Sequence, residues 1–127
     1  FMTEAVDIFF NVQAAWVRGD VDQLKTIVAP RALETLRAEL DAIKGKGLVN
    51  RVDGIAIKDS AITEAWQEKG NDYITLKITA SAVDYLADGS GSVVEGSSTE
   101  PVQFTEYWTF AREIGKDWKL SAIQQPS

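Results

Sequence analysis

The residue most suggestive of a functional site, Glu106, lies among aromatic residues in the segment 101–125, PVQFTEYWTFAREIGKDWKLSAIQQ. This segment has the pattern of a β-hairpin with its turn at Gly115, and side chains alternate between the two faces of a strand. Glu106 therefore shares a face with Trp108 and Phe110. An ionised carboxylate on an apolar face is costly unless it is paired, hydrogen-bonded or wet, so this pattern predicts either a core pair or a pocket.

The residue types that are missing narrow the chemistry. The 127 residues include no cysteine and no histidine, which excludes thiolate chemistry, disulfides, the usual general base and the usual metal ligand. Any catalysis would have to use carboxylates, tyrosine or lysine. Asp53, Asp59 and Asp72 lack the spacing of a metal site, and the sequence predicts neither a metal nor a cofactor.

Composition and charge limit the class of protein. A hydrophobic fraction of 45% with four Trp is sufficient for one core, and we expect a single domain over 1–127. The net charge of −6 disfavours nucleic acids and non-specific adhesion to anionic membranes. No apolar run is long enough to cross a bilayer, so we expect this stretch to be soluble. Phe1 already lies in a helical pattern, so we expect a domain cut from a longer protein; the alternative is that Phe1 remains from a tag and Met2 is the initiator.

The spacing of apolar residues changes near Gly47 from helical to alternating, which predicts an α+β fold. Three N-terminal helices should pack on a curved, roughly four-stranded antiparallel sheet, with bends in the first strand near Gly54 and Lys58-Asp59-Ser60, and a flexible Gly/Ser-rich loop over 88–100. The predicted helices are 1–18, 20–28 and 30–47, and the predicted strands are 49–66, 73–86, 102–113 and 118–124.

The alternation of side chains between the two faces of a strand predicts the register of the hairpin, because a slip of one residue would turn every side chain to the wrong face. Placing Phe110 opposite Leu120 keeps the apolar faces together, and this register sets Trp108 opposite Ala122. It also sets Arg112 over Trp118, a cation–π geometry, and Glu106 opposite Gln124.

Several short motifs follow one another along the chain: Val12-Gln13-Ala14-Ala15-Trp16, Gly19-Asp20, Leu24, Asp84-Tyr85, Phe104, Trp108-Thr109-Phe110, Arg112, Trp118, Leu120 and Gln124. Their order and spacing resemble the C-terminal domain of the mitochondrial inner-membrane import translocase subunit 44 and its bacterial relatives. The resemblance covers nearly the whole chain.

The resemblance implies a cystatin-like roll of the nuclear-transport-factor-two type, with an apolar pocket between sheet and helices. It also implies a non-enzymatic tethering role at the inner membrane, with lipid and membrane-associated proteins as partners and no nucleic acid. The domain would be peripheral or anchored by an upstream segment outside this chain. The motifs transfer no catalytic residue.

Residues from both layers are expected to line this pocket, which would hold a lipid acyl chain or a partner's side chain. The expected ligand-binding residues are Phe9, Val12, Trp16, Ile78, Glu106, Trp108, Phe110, Leu120 and Gln124. An alternative function is a small isomerase or dehydratase of the same roll, in which Glu106 is the base and a tyrosine, Tyr85 or else Tyr73 or Tyr107, is the proton donor.

Overall fold

The computed structural model describes residues 1–126, over which the chain forms three helices followed by five strands. This arrangement confirms the α+β fold expected from the sequence. The elements are α1 (Met2–Arg18), α2 (Val21–Ile27), α3 (Pro30–Gly45), β1 (Val49–Glu68), β2 (Asn71–Ala87), β3 (Val93–Gly96), β4 (Val102–Glu113) and β5 (Lys119–Gln124).

The helices begin and end at the residues that the sequence marks. The Asp20 side chain accepts a hydrogen bond of 3.0 Å from the backbone N–H of Gln23 and so caps α2. Pro30 occupies the first turn of α3, where its missing N–H costs nothing. The link between α2 and α3 docks on the sheet edge, since the N–H of Ala29 donates to the carbonyl oxygen of Leu120 at 2.7 Å.

The strands form one antiparallel sheet in the order β1-β2-β4-β5, with β3 paired to the end of β2. The hairpin predicted over 101–125 is confirmed, because β4 and β5 pair with each other. Strand β1 pairs with β2 along its whole length but slips in register near Gly54 and Lys58, as expected, and again near Thr63. Such bulges bend and twist a strand, which curves the sheet around the helices.

The segment 88–100, expected to be a flexible loop, contains a short strand that adds to the roughly four strands expected. Val93–Gly96 forms β3, whose residues pair with Tyr85, Leu86 and Ala87 of β2. All four residues of β3 are exposed, so no apolar alternation marks this strand in the sequence. Its pairing to β2 gives it strand structure.

The core lies between α1 and the helix-facing side of the sheet. Phe9, Trp108 and Phe110 are essentially inaccessible to solvent, and the Phe9 ring lies 4.8 Å from the Trp108 ring. Phe1 adds an edge-on contact with Phe110 at 5.6 Å and another with Trp118 at 4.9 Å, measured between ring centroids. Edge-to-face packing at these distances is favourable for aromatic rings.

The β4–β5 hairpin has the predicted register at its turn and a different register at its open end. Phe110 pairs with Leu120, as expected, but Thr109 then pairs with Ala122, so Ser121 is an extra residue in β5. A bulge of this kind exchanges the faces of all the residues beyond it. The predicted pairing of Trp108 with Ala122 is therefore wrong, and Trp108 pairs with Ile123 instead.

The same bulge moves Gln124 away from Glu106. Gln124 pairs with Tyr107, on the face of the sheet that points away from the helices. Its place beside Glu106 is taken by Gln125, whose Nε2 donates to Oε2 of Glu106 at 2.7 Å. The predicted pairing of Glu106 with Gln124 is therefore wrong by one residue.

The predicted contact between Arg112 and Trp118 is confirmed, with the guanidinium carbon 4.5 Å from the ring centroid. Nε of Arg112 also donates to Oδ2 of Asp72 at 3.0 Å, and Nε2 of Gln67 donates to Oδ1 of the same carboxylate at 2.6 Å. These two hydrogen bonds hold the pKa of Asp72 below its ordinary value. The cluster joins β1, β2, β4 and the turn before β5.

Candidate functional site

A cavity of about 580 Å³ lies between the helices and the open end of the sheet. It is bounded by one face each of α1 and α3, by the start of β1 and the end of β2, and by β4 and β5. The apolar side chains in its wall include Val12, Trp16, Phe104, Trp108 and Leu120.

The space exists because the two long helices pack differently. Helix α1 buries five residues, whereas α3 buries only Leu36. On the side of α3 that faces the cavity, Ala32 and Thr35 have short side chains, which do not fill the gap to the curved sheet. These two short side chains, next to the larger Arg31, Leu36 and Glu39 of the same wall, leave a concave site of the kind that binds apolar groups.

Glu106 provides one polar group of the cavity wall. Its Oε1 accepts a hydrogen bond of 3.1 Å from Nε1 of Trp108, and its Oε2 accepts the bond from Gln125. Both donors are neutral, so the carboxylate is held in place while its charge is not offset by an adjacent cation. No lysine or arginine among residues 1–126 lies within ion-pair distance of it.

A second polar group connects α1 to the sheet at the cavity wall. Nε1 of Trp16 donates to Oδ1 of Asn50 at 2.8 Å, and Nδ2 of Asn50 donates to Oδ1 of Asp84 at 2.7 Å and to the carbonyl oxygen of Tyr85 at 3.0 Å. Trp16, Asn50 and Asp84 all line the cavity. Sequence reasoning missed Asn50, because an isolated polar residue at the start of a strand carries no periodic signal.

The structure brings five of the nine expected ligand-binding residues to the cavity wall: Val12, Trp16, Glu106, Trp108 and Leu120. Three others, Phe9, Ile78 and Phe110, belong to the buried core and do not line the cavity. Gln124 lies on the opposite face of the sheet, where it borders a depression together with Tyr107 and Thr109.

The residues proposed for the enzymatic alternative are not brought together. Among the described residues, no tyrosine lines the cavity that Glu106 borders. Tyr85 alternates with Asp84 along β2 and so lies on the other face. Tyr73 stacks on Trp66 with ring centroids 5.0 Å apart, and both border the depression on that face, as does Tyr107. No phenol is therefore placed to act with the Glu106 carboxylate.

Metal chemistry has no visible site either. Within residues 1–126 no group of three or more Asp or Glu side chains is placed to hold a metal ion. With the residues that line it, the cavity can enclose an apolar group, accept hydrogen bonds or a positive charge at its carboxylates, and donate hydrogen bonds from Arg31.

This combination of a three-helix layer, a curved antiparallel sheet and a cavity between them defines a roll of the nuclear-transport-factor-two type. The sequence model of the Tim44-like domain family matches residues 1–125. The chain belongs to the Tim44-like domain family, as its motifs indicated.

A comparison with solved structures supports the fold. The chain is similar to the crystal structure of the intermembrane space region of the chloroplast protein ARC6, with a TM-score of 0.59 at 12% sequence identity. The match covers 96% of this chain and 95% of that one. No curated protein sequence matches the chain.

Tim44-like domains form a membrane-associated family connected with protein translocation. In this chain, no helix within residues 1–126 combines the length and the apolar character that a membrane crossing requires.

Proposed function

We propose that this domain is a non-catalytic binding module that tethers a protein assembly at the inner membrane, and that the cavity is its binding site. The occupant is an acyl chain or an apolar side chain of a partner. The observation that carries the proposal is the cavity itself, an apolar space of about 580 Å³ with two carboxylates fixed in its wall.

The wall combines an apolar surface with groups that fix orientation. Trp16 and Phe104 are partly exposed at the wall and offer apolar contact area, while Glu106 and Asp84 are held by hydrogen bonds from neighbouring side chains. A binding site needs this combination, since apolar burial supplies most of the affinity and a few placed polar groups select one orientation. No tyrosine of residues 1–126 lines the cavity beside Glu106, which supports binding without turnover.

The experiment uses the neutral apolar dye Nile red as the probe, after lipid has been removed from the purified protein. We expect saturable binding, a change in the fluorescence of Trp16 and Trp108, and competition by dodecanol. Ala32→Phe places a ring into the cavity and should abolish binding. Ala38→Phe makes the same change on an exposed position of α3 outside the cavity wall and should leave binding unchanged.

The result that contradicts the proposal is equally definite. If Nile red and dodecanol do not bind the folded domain, the cavity is not a binding site. If they bind Ala32→Phe as well as the unmodified protein, they bind elsewhere. Circular dichroism of both variants separates loss of binding from loss of fold.

A further inference from the structure

The charged residues around the cavity are mostly negative. Glu39, Asp84 and Glu106 line it together with one guanidinium, that of Arg31. The side-chain ion pairs found within residues 1–126, Lys25 with Asp22 and Arg112 with Asp72, include none of these four residues. The three carboxylates therefore outnumber the single cation, and the net charge of −6 on the whole chain has the same sign.

Glu106 has the most specific placement of the three carboxylates. It is half-buried beside the fully buried Trp108, and its hydrogen bonds come only from neutral N–H groups. Each carboxylate oxygen has two lone pairs, so both oxygens can accept a further donor. A partly desolvated charge without an opposite charge favours a ligand that supplies one.

We infer that the occupant of the cavity is a segment of a protein partner in which an apolar side chain is adjacent to a lysine or arginine. The apolar side chain fills the space beside Trp16 and Phe104, and the cationic group binds Glu106. This inference rests on the function proposed above and names the class of partner.

Charge also favours a basic protein segment over an anionic membrane lipid. The phosphate of an anionic phospholipid would enter a cavity lined by three carboxylates and one guanidinium, that of Arg31, and the excess of negative charge would repel it. Lysine and arginine next to apolar residues are common in protein segments, and the acidic domain attracts such a segment over a distance of about a Debye length, roughly 8 Å at physiological salt.

The test is a selection from a phage-displayed library of random 12-residue peptides against the 127-residue chain, with elution by excess dodecanol. We expect the enriched peptides to pair a lysine or arginine with large apolar residues. Synthetic versions should displace Nile red, and raising the salt concentration should weaken them.

A charge-neutral variant identifies the carboxylate. Glu106→Gln keeps an oxygen that can accept from Trp108 but removes the charge, and it should weaken the basic peptides about tenfold, a larger effect than on the uncharged Nile red. Glu113→Gln removes one charge from the exposed end of the same strand and should leave peptide affinity unchanged.

Each other outcome counts against the inference. Enriched peptides without a basic residue, or basic peptides that bind Glu106→Gln with full affinity, would overturn it. So would a failure to enrich any peptide while phosphatidylglycerol vesicles displace Nile red, because the occupant would then be a lipid. If Nile red itself does not bind, the proposed function fails and the inference fails with it.

Discussion

The indole nitrogen of Trp16 donates a hydrogen bond of 2.8 Å to Oδ1 of Asn50, a residue 34 positions away in the chain. Asn50 in turn donates from Nδ2 to Asp84 and to the carbonyl oxygen of Tyr85. Both ends of the amide are therefore used, which fixes its orientation. One side chain thus joins α1 to β1 and β2 at the cavity wall.

Replacing Asn50 tests this connection. Asn50→Ala removes the amide oxygen that accepts from the half-buried Trp16 indole and the amide nitrogen that donates to the exposed Asp84 carboxylate. We expect a loss of about 1–2 kcal/mol in the free energy of unfolding. Urea unfolding followed by tryptophan fluorescence measures this directly.

The matched control is Asn11→Ala, on an exposed position of α1, which should change the free energy of unfolding by no more than about 0.5 kcal/mol. Equal stability of Asn50→Ala and Asn11→Ala would show that the three hydrogen bonds contribute nothing net. The Asn50 variant should also bind Nile red more weakly, because the Trp16 indole is no longer held at the wall.

The Asp72 cluster predicts a dependence of stability on acidity. Hydrogen bonds from Gln67 first, and then from Arg112, lower the pKa of Asp72. A carboxylate with a lowered pKa stabilises the folded state above its unfolded pKa, and this contribution is lost as the pH falls through the folded value. Asp72→Asn should therefore be less stable than the unmodified chain at pH 7, and the difference should shrink in acid.

Urea titrations of both proteins from pH 7 downwards measure this difference. The control is Asp41→Asn, at an exposed position on α3 outside the Asp72 cluster. Its free energy of unfolding should differ little from that of the unmodified chain. A deficit of Asp72→Asn that stays constant down to strongly acidic pH would exclude the ion pair as its cause.

Some features of the hairpin could be predicted from the sequence because they depend only on how side chains alternate between the two faces near the turn. Phe110 opposite Leu120, and Arg112 over Trp118, lie close to the turn, where few registers keep the apolar residues on one face. The bulge at Ser121 is different. Inserting one residue costs little at the open end of a short edge strand, and no residue type marks it, so Gln125 rather than Gln124 reaches Glu106.

Part of the candidate site, too, could be predicted from the sequence, and part could not. Its apolar residues Val12, Trp16, Trp108 and Leu120 could be placed from helical and strand periodicity. The separation between wall and core could not, because periodicity shows which face a residue occupies but not whether a neighbour covers it. Phe9 and Phe110 lie on the same apolar faces but do not line the cavity. Asn50 depends on contacts between residues far apart in sequence.

The core makes a direct prediction about stability. Phe110 is fully buried, whereas the Phe10 side chain is 37% exposed. Changing phenylalanine to alanine at both positions separates the effect of burial on the free energy of unfolding from the effect of residue type. Phe110→Ala should lower the free energy of unfolding by about 3–5 kcal/mol through lost transfer energy and a cavity.

At the exposed position the surface removed is already partly wet, so Phe10→Ala should cost about 1 kcal/mol or less. Thermal and urea unfolding of the two variants give the comparison. Similar losses at the two positions would mean that the Phe110 ring is not enclosed by Trp108 and Phe1 as described.

The pairing of β3 with β2 depends on one glycine. Gly96 pairs with Tyr85 and has a φ of 85°, which favours glycine. A Cβ atom at this position would lie 2.6 Å from the carbonyl oxygen of Asp84 and 3.1 Å from Cα of Tyr85. Both contacts are with backbone atoms of β2, which cannot move without disturbing the sheet.

Gly96→Ala should therefore release β3 from the sheet and cost about 1–3 kcal/mol. Hydrogen exchange should become faster over residues 93–96 and at the paired end of β2. Asp84 lies next to this end and accepts from Asn50, so we also expect weaker binding of Nile red.

Gly89→Ala is the control, since an added Cβ there meets nothing within 4 Å and Gly89 has no positive φ. If exchange at β3 is equally slow in both variants, the close approach at Gly96 does not hold this strand in place.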